Sequence, residues 1–176
     1  MTDTSLFIGR FQPFHNGHLS VVKGMVKVSK KVFIGIGSSD IHGTPSDPFT
    51  REERREMIQR ALQEVNIIPL YDVVFINLPD MEEDAAWAKM CLELCENQVT
   101  AVWTGNDWTK KSFEGTGVRI QDIKEVPGIN ATEVRRRMST GGDWKKLVPE
   151  AVADYIAEID GCARHSPATA GVGKVK

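Results

Sequence analysis

One stretch near the start of the chain, residues 5–23, constrains the fold more than any other. Residues 6–8 (Leu-Phe-Ile) are typical of a buried strand, the run ends at Gly9, and from Gly17 onward apolar residues recur at helical spacing. A strand therefore leads into a helix through a loop rich in Gly, Arg and His. In α/β proteins such a loop delivers ligands to a helix N-terminus, whose free N–H groups favour anions. The stretch predicts a phosphate site.

The side chains of this loop sharpen the prediction. His15 and His18 stand three residues apart across Gly17, so if the helix begins at His18 both imidazoles can face one ligand. Arg10, directly after the strand, adds a permanent positive charge. Two other phosphate-binding patterns, Gly-x-Gly-x-x-Gly and Gly-x-x-x-x-Gly-Lys-Ser/Thr, do not occur in the sequence. We therefore interpret the loop as one that contacts phosphate through histidine and arginine.

Strand-like and helix-like segments alternate along the rest of the chain. Further strands are predicted at 31–38, 70–78, 99–104 and 118–126. Further helices are predicted from Thr50, where Thr50 and Glu53 match a capping box, at 82–96, from a cap at Asn130 or Thr132, and at 144–159. This alternation predicts an α/β fold, a parallel five-stranded sheet with helices on both faces. The loops at the carboxyl ends of the strands then share one edge.

Length and composition limit the classes of protein. The 176 residues fit one domain, which we expect over 1–160, and the Ser, Pro, Ala, Gly and Lys content of 161–176 predicts a disordered tail. A net charge of -2 disfavours binding to nucleic acid through bulk charge, so the partner is expected to be small. Apolar runs of about 18 residues and a signal peptide are absent, which predicts a cytoplasmic protein with no membrane partner.

Two motifs carry a resemblance to a known family. Residues 9–18, Gly-Arg-Phe-Gln-Pro-Phe-His-Asn-Gly-His, resemble the His-x-Gly-His signature of the nucleotidyltransferase superfamily, and their first half resembles its archaeal-type nicotinamide mononucleotide adenylyltransferases. Far downstream, residues 129–138 are similar to the Ile-Ser-Ser-Thr-x-x-Arg motif of that family. A lone His-x-Gly-His recurs by chance, but two motifs in the right order identify the family.

The resemblance implies a single Rossmann-like nucleotidyltransferase domain that transfers AMP from ATP to nicotinamide mononucleotide, giving NAD and pyrophosphate. Mg²⁺, carried mainly by the ATP phosphates, is the expected cofactor, with no metal cluster on the protein. A homo-oligomer, as in the hexameric archaeal-type relatives, is also implied. The site residues implied are the catalytic His15, His18 and Arg135, the ATP-binding Gly9, Arg10, Phe11, Gly17, Gly105, Asn106, Thr132 and Arg136, and the mononucleotide-binding Asp80, Met81, Asp84 and Trp87.

Several alternatives stay open at this point. Trp87 lies on the inner face of a predicted helix, where a core role competes with stacking on the pyridine ring. Asp84 stands where family members commonly have Asn, and Ser46 stands where some have Arg, for which Arg51 or Arg54 is a candidate substitute. The acceptor can also be nicotinate mononucleotide, phosphopantetheine or an alcohol phosphate. A non-catalytic nucleotide-binding module is the competing class, although a binder need not keep the histidines and the motif arginine.

Overall fold

A computed structural model describes residues 3–165 of the protein. Its strands are β1 (Asp3–Gly9), β2 (Ser29–Gly37), β3 (Asp72–Leu78), β4 (Ala101–Thr104) and β5 (Arg119–Asp122). Its α-helices are α1 (Asn16–Met25), α2 (Arg51–Glu64), α3 (Asp84–Leu94), α4 (Asp107–Ser112), α5 (Ala131–Thr140) and α6 (Glu150–Glu158).

All five strands lie parallel in one sheet of order β3-β2-β1-β4-β5. The chain builds outward from β1 to β3 and then returns to place β4 on the other side of β1. Phe7 of β1 is accordingly paired with Ile34 on one side and Trp103 on the other. In a parallel α/β sheet the crevice at such a reversal, beyond the carboxyl ends of the strands, is the ligand site. The predicted fold class is confirmed, and the strand order, which the sequence left open, puts this crevice between β1 and β4.

Helices cover both faces of the sheet and bury two apolar clusters. Leu6 and Phe7, neighbours on β1, point to opposite faces and belong to different clusters. Phe7 lies with residues of α1, α2, α5 and α6, and Leu6 lies with residues of α3 and with Phe113, the residue after α4. The layers hold β1 rigidly from both sides, and β1 in turn fixes where the loop after it starts.

The structure corrects several predicted boundaries. Helix α1 begins at Asn16, not His18, because His15 caps it. The predicted strand at 118–126 is only four residues long, and the short helix α4 was not predicted at all. The predicted helix at 144–159 is two pieces, a 3-10 turn at Lys145–Leu147 and α6, since the residue before Pro149 is extended (φ -121°, ψ 158°).

The predicted boundary at 160 falls inside the described structure. Gly161–His165 form a 3-10 helix, and Arg164 donates to both carboxylate oxygens of Glu53 at 2.7 and 2.8 Å. These residues therefore pack on the domain, whereas 166–176 lie outside the described residues and for them the disordered tail stays a prediction. None of the helices in the described range is long and apolar enough to cross a membrane.

Candidate active site

Two neighbouring cavities open at the carboxyl edge of the sheet, at the reversal between β1 and β4. The first, of about 260 Å³, is lined by residues of β1, the start of α1, the end of β4 and the segment 123–130. The second, of about 340 Å³, is lined by the ends of β1 and β2, by Asp80 and by residues of α3 and α4. Ile8 and Asn106 line both cavities. Two ligands bound side by side would therefore meet at these two residues.

The two histidines hold each other at the start of α1. His18 N donates to Nδ1 of His15 at 3.3 Å, and His15 N donates to Nδ1 of His18 at 3.2 Å. This is a capping box in which imidazoles replace the usual hydroxyl and carboxylate. The rings stack with centroids 3.5 Å apart and planes 18° apart. One local motif thus starts the helix and sets both rings.

The capping box also fixes the tautomer of each ring. Because each Nδ1 accepts a backbone N–H, the single proton of each neutral imidazole lies on Nε2. Both rings line the first cavity. They therefore offer it two N–H donors without carrying a charge.

Burial keeps both rings neutral. His15 is 7% exposed, and burial lowers its pKa to about 4. Burial also lowers the pKa of His18 well below the usual 6.5, and the adjacent His15 lowers it further. Charged stacked rings would repel each other, so neutrality is what permits their close contact. At pH 7 both rings are therefore neutral hydrogen-bond donors, a kind of group that can bind an anion.

Gly17 lies where a side chain would disturb this pair. A Cβ built on Gly17 would lie 3.0 Å from both Cε1 and Nδ1 of His15. On the other side His18 contacts Phe14, with ring centroids 5.4 Å apart, and Phe11, at 4.9 Å. Phe11, predicted to bind ATP, is itself 1% exposed and supports His18 from within the core. The glycine and the two aromatic rings hold the histidine pair in place.

Two arginines lie close together beside this loop. Arg10 donates to both oxygens of the buried Asp47 at 3.3 and 3.4 Å, and Ser46 donates to the same carboxylate at 2.7 Å. Arg135 donates to the carbonyl of Gln12 at 2.8 Å. Burial lowers the pKa of Arg135 below its ordinary value, and repulsion from Arg10 lowers it further. Two guanidinium groups this close favour an anion between or beside them.

The second motif reaches the first cavity only at its start, through Ile129 and Asn130, as far as the described linings go. Thr132 accepts a hydrogen bond from Arg135 at 3.3 Å, whereas Arg136 is paired with Glu133 at 2.7 Å. Asn130 caps α5 by accepting from Glu133 N at 2.8 Å. Among the described residues, the linings of the two cavities include Asn130 but not Thr132, Arg135 or Arg136. Their predicted contacts with ATP stay predictions.

The turn after β4 contributes directly to the lining. Gly105 lines the first cavity. Asn106 lines both, and its Oδ1 caps α4 by accepting from Thr109 N at 2.9 Å. With Oδ1 occupied, the amide N–H₂ of Asn106 is the group left to donate to a ligand. Asn106 is therefore a polar contact at the boundary between the cavities.

Two tryptophans line the second cavity, of which only Trp87 was predicted from the sequence. Trp87 is 3% exposed, and its ring centroid lies 4.7 Å from that of Trp108, with planes 47° apart. Nε1 of Trp108 donates to Oδ1 of Asp84 at 2.9 Å. Asp80 lines the cavity and accepts from Ser38 Oγ at 2.9 Å, whereas Met81 is exposed outside the lining. Gly9 and Arg10, predicted for ATP, line this cavity rather than the first.

Neither candidate substitute for the arginine missing at Ser46 lines the first or the second cavity. Arg51 is paired with Asp40 and Glu52. Arg54 is wholly buried. Its guanidinium donates to backbone carbonyls at the ends of three segments, those of Arg10, Gly37, Ser38, Ser39 and Thr50. Arg54 thus ties together the loops that surround the second cavity, a role invisible in a sequence because its partners are main-chain atoms.

No group of three or more His, Cys, Asp or Glu side chains within residues 3–165 is arranged to hold a metal ion. Cys91 on α3 and Cys95, the C-cap of that helix, are buried, and burial raises the pKa of each thiol to about 12. They are therefore protonated core residues.

A parallel sheet with a histidine pair at the first helix start, beside an arginine cluster and a second cavity, defines a nucleotidyltransferase of the Rossmann-like class. The chain belongs to the cytidylyltransferase-like family, whose pattern matches residues 6–137. The resemblance identified from the two sequence motifs is thereby confirmed.

Relatives and solved structures agree with this assignment. The chain is 39% identical over 161 residues to the nicotinamide-nucleotide adenylyltransferase of Thermococcus sibiricus, covering 90% of this chain and 86% of that protein. It is also 38% identical over 161 residues to the nicotinamide-nucleotide adenylyltransferase of Pyrococcus furiosus. That match covers 90% of this chain and 85% of the Pyrococcus protein. It also resembles a bifunctional NMN adenylyltransferase/ADP ribose pyrophosphatase from Francisella tularensis, complexed with AMP and Mn ion, with TM-score 0.75 and 27% identity. That match covers 94% of this chain but about half (52%) of the larger protein.

Proposed function

We propose that the chain is an adenylyltransferase that joins ATP and nicotinamide mononucleotide to give NAD and pyrophosphate. The observation that carries the proposal is the pair of cavities that meet at Ile8 and Asn106, one lined by the histidine pair and the other by two indoles. The names of the relatives that match 90% of the chain support the same reaction.

ATP is assigned to the first cavity and the mononucleotide to the second. The triphosphate then lies at the start of α1, where Nε2–H groups of His15 and His18 and free backbone N–H groups donate to its oxygens. Arg135 and Arg10 are near enough to this loop to neutralise phosphate charge. The phosphate of the mononucleotide lies toward Arg10, and its ring lies toward Trp87.

The reaction needs positioning and charge stabilisation more than acid–base chemistry. A 5′-phosphate has a second pKa near 6, so it is largely a dianion at pH 7 and attacks without a general base. The attack is direct and in line on the α-phosphorus, with pyrophosphate leaving opposite. His18 donates to oxygens on which charge develops, and being neutral it loses no proton in doing so.

A divalent cation, Mg²⁺, is assigned to the ATP phosphates. A hard cation of this kind is commonly held by phosphate and water oxygens with few protein ligands. The Francisella structure, complexed with AMP and Mn ion, supports the use of a divalent cation. When bound, the cation neutralises part of the triphosphate charge. His15 and His18 are neutral donors and cannot do so.

A pyrophosphate-release assay with ATP and three acceptors tests the proposal. Nicotinamide mononucleotide is expected to give NAD at the highest rate, with nicotinate mononucleotide and phosphopantetheine as competing acceptors. Pyrophosphate from phosphopantetheine alone would move the protein to another branch of the family. ATP binding without turnover on any acceptor would instead support a non-catalytic nucleotide-binding module.

The direct route has its own test. ATP with sulfur on the α-phosphorus, of one configuration, is expected to give product with inverted configuration. Retention, or an adenylylated protein formed without the mononucleotide, would mean a covalent intermediate. The homo-oligomer implied by the family stays a prediction, to be checked by the mass of the protein in solution.

A further inference from the structure

The second cavity has an outer wall that comes from the short helix α4. Trp108, the second residue of α4, lines the cavity and is 43% exposed. Trp87 lines the same cavity but is only 3% exposed, since its ring packs against Trp108 and Phe113. The indole surface that a ligand can cover therefore belongs mainly to Trp108.

Two contacts fix the orientation of this exposed ring. Nε1 of Trp108 donates to Oδ1 of Asp84 at 2.9 Å, and the ring lies 4.7 Å from Trp87. Asp84 and Trp87 are both on α3, one turn apart, so α3 supports the ring of Trp108 at its polar edge and across its face. A side chain with two such supports has little rotational freedom to lose when a ligand covers it.

We propose that Trp108 is the residue that covers the cationic ring of the mononucleotide, and that Asp84 is the positioning residue that holds Trp108 there. The proposal rests on the proposed function, from which the substrate is taken. Indole is the strongest aromatic partner for a cation. A carboxylate that accepts the indole N–H pushes electron density into the ring, which strengthens that attraction.

The charges around the cavity agree with a zwitterionic ligand of this kind. Its lining carries one guanidinium, that of Arg10, and one carboxylate, that of Asp80. Asp84 adds a second carboxylate behind Trp108. A mononucleotide with a cationic ring and an anionic phosphate matches a site with negative charge near the indoles and positive charge near the phosphate-binding loop.

The first arm of the test replaces Trp108 and measures KM for both substrates. Trp108→Leu is expected to raise KM for nicotinamide mononucleotide about five- to twenty-fold and to leave KM for ATP unchanged. The matched control is Tyr71→Leu, which removes an aromatic ring of similar exposure, 41%, outside both cavities. The control is expected to change neither KM.

The second arm tests the role of ring charge. Reduced nicotinamide mononucleotide has a neutral ring and otherwise the same groups. The ratio of kcat/KM for the oxidised over the reduced substrate is expected to fall about fivefold in Trp108→Leu. If Trp108→Leu loses its folded structure, Trp108→Phe replaces it as the test variant. Trp108→Phe is expected to raise KM for the oxidised substrate about threefold, because a phenyl ring binds cations less well than an indole.

The third arm separates positioning by Asp84 from direct contact. Asp84→Ala removes the acceptor and is expected to raise KM for nicotinamide mononucleotide about threefold in the native background, but not when Trp108 is already leucine. Asp84→Asn keeps an oxygen that accepts the indole N–H and is expected to restore most of the affinity. An equal effect of Asp84→Ala in both backgrounds would show that Asp84 does not act through Trp108.

Failure of the inference is distinct from failure of the proposed function. If the native protein forms no NAD from nicotinamide mononucleotide, the proposed function is wrong, whatever Trp108 does. If it forms NAD but the folded Trp108→Leu variant keeps the native KM and the native ratio of oxidised to reduced substrate, Trp108 merely covers Trp87. That result would overturn the inference alone.

Discussion

The two cavities share a wall but are built in different ways. The first takes its histidine pair from one continuous loop and helix start, where His15 and His18 fix each other through main-chain hydrogen bonds, and its other polar groups from the end of β4 and the segment 123–130. The second takes its polar and aromatic groups from four places in the chain, and its central hydrogen bond joins Asp84 to Trp108, 24 residues apart. The histidine pair of the first cavity is fixed by local backbone geometry, whereas the indole pair of the second is fixed by how α3 and α4 pack.

This difference suggests a division of tasks. A site in which charge develops needs donors whose positions do not change, and a capping box supplies that because helix formation itself sets the rings. A site that selects among substrates can depend on side chains that change without harm to the helix start. Substitutions in the first cavity should therefore reduce kcat, and substitutions in the second should change KM and substrate preference.

The largest expected effect comes from the first cavity. His18→Ala is expected to lower kcat by a factor on the order of 10²–10³ with a smaller change in either KM, because the lost donor acts chiefly in the transition state. Steady-state kinetics with both substrates measures it. The control is His42→Ala, an exposed histidine outside both cavities. A rise in KM for the mononucleotide alone would contradict the division of tasks.

A smaller effect is expected on stability in acid. The pKa of His15 is about 4 in the folded protein against 6.5 when unfolded, so between these values the unfolded state binds more protons. His15 alone should lower the free energy of unfolding by about 1.6 kcal/mol from pH 6.5 to pH 5.0, because its imidazole in the unfolded chain is already half protonated at pH 6.5. His18, whose pKa is lowered as well, adds a loss of the same sign. Urea titrations at both pH values measure this loss. The pKa of Glu133 is about 2, so this carboxylate titrates below the range.

The matched variant for this measurement is His15→Asn. Asparagine is a good N-cap that does not titrate. The variant should keep most of the stability at pH 7.5 and lose much of the fall toward pH 5.0, whereas His42→Asn should keep that fall. An unchanged fall in His15→Asn would assign the acid sensitivity to other groups.

The same difference between the cavities explains what the sequence could predict. The loop could be recognised from the sequence, because its functional residues His15, Gly17 and His18 are close together and their types and spacing indicate phosphate binding. The start of α1 was nevertheless misplaced, since only the structure shows which side chain accepts from which backbone N–H. Trp108 was missed because α4 has six residues, too few for an apolar period, and its partner lies on another helix.

The burial of the charged side chain of Arg54 could not be predicted from the sequence either. Arg54 looks like one more charge in the run of residues 51–55, but it is wholly buried among backbone carbonyls. The residue types do not indicate this burial, because every chain has backbone carbonyls and only the fold brings several of them around one guanidinium. The strand order was unpredictable for the same reason, because it depends on crossovers between distant segments that local sequence patterns do not encode.

A glycine pair on α1 tests how tightly the first cavity is built. Gly17→Ala would place a Cβ 3.0 Å from the ring of His15, whereas Gly24→Ala would meet nothing within 4 Å. We expect Gly17→Ala to lower kcat about tenfold, roughly 1.4 kcal/mol, because the ring must move. Gly24→Ala should instead raise the free energy of unfolding by up to about 1 kcal/mol, the helix propensity difference, with kcat unchanged. Equal kcat in both variants would show that the histidine pair tolerates displacement.

The smallest expected effect is a change of preference at the second cavity. Nicotinate mononucleotide carries a carboxylate where the amide substrate is neutral, and the charge of Asp84 behind Trp108 disfavours it. Asp84→Asn removes that charge and keeps an acceptor for the indole, so the acid substrate should gain about two- to fivefold in kcat/KM relative to the amide. The ratio is measured with both substrates in one competition assay, in which shared losses cancel. Because screening by solvent weakens a charge that acts from behind a side chain, the gain should shrink as salt is raised. A gain that does not depend on salt would point to a change in the position of the Trp108 ring, and an unchanged ratio would remove Asp84 from the choice between acid and amide.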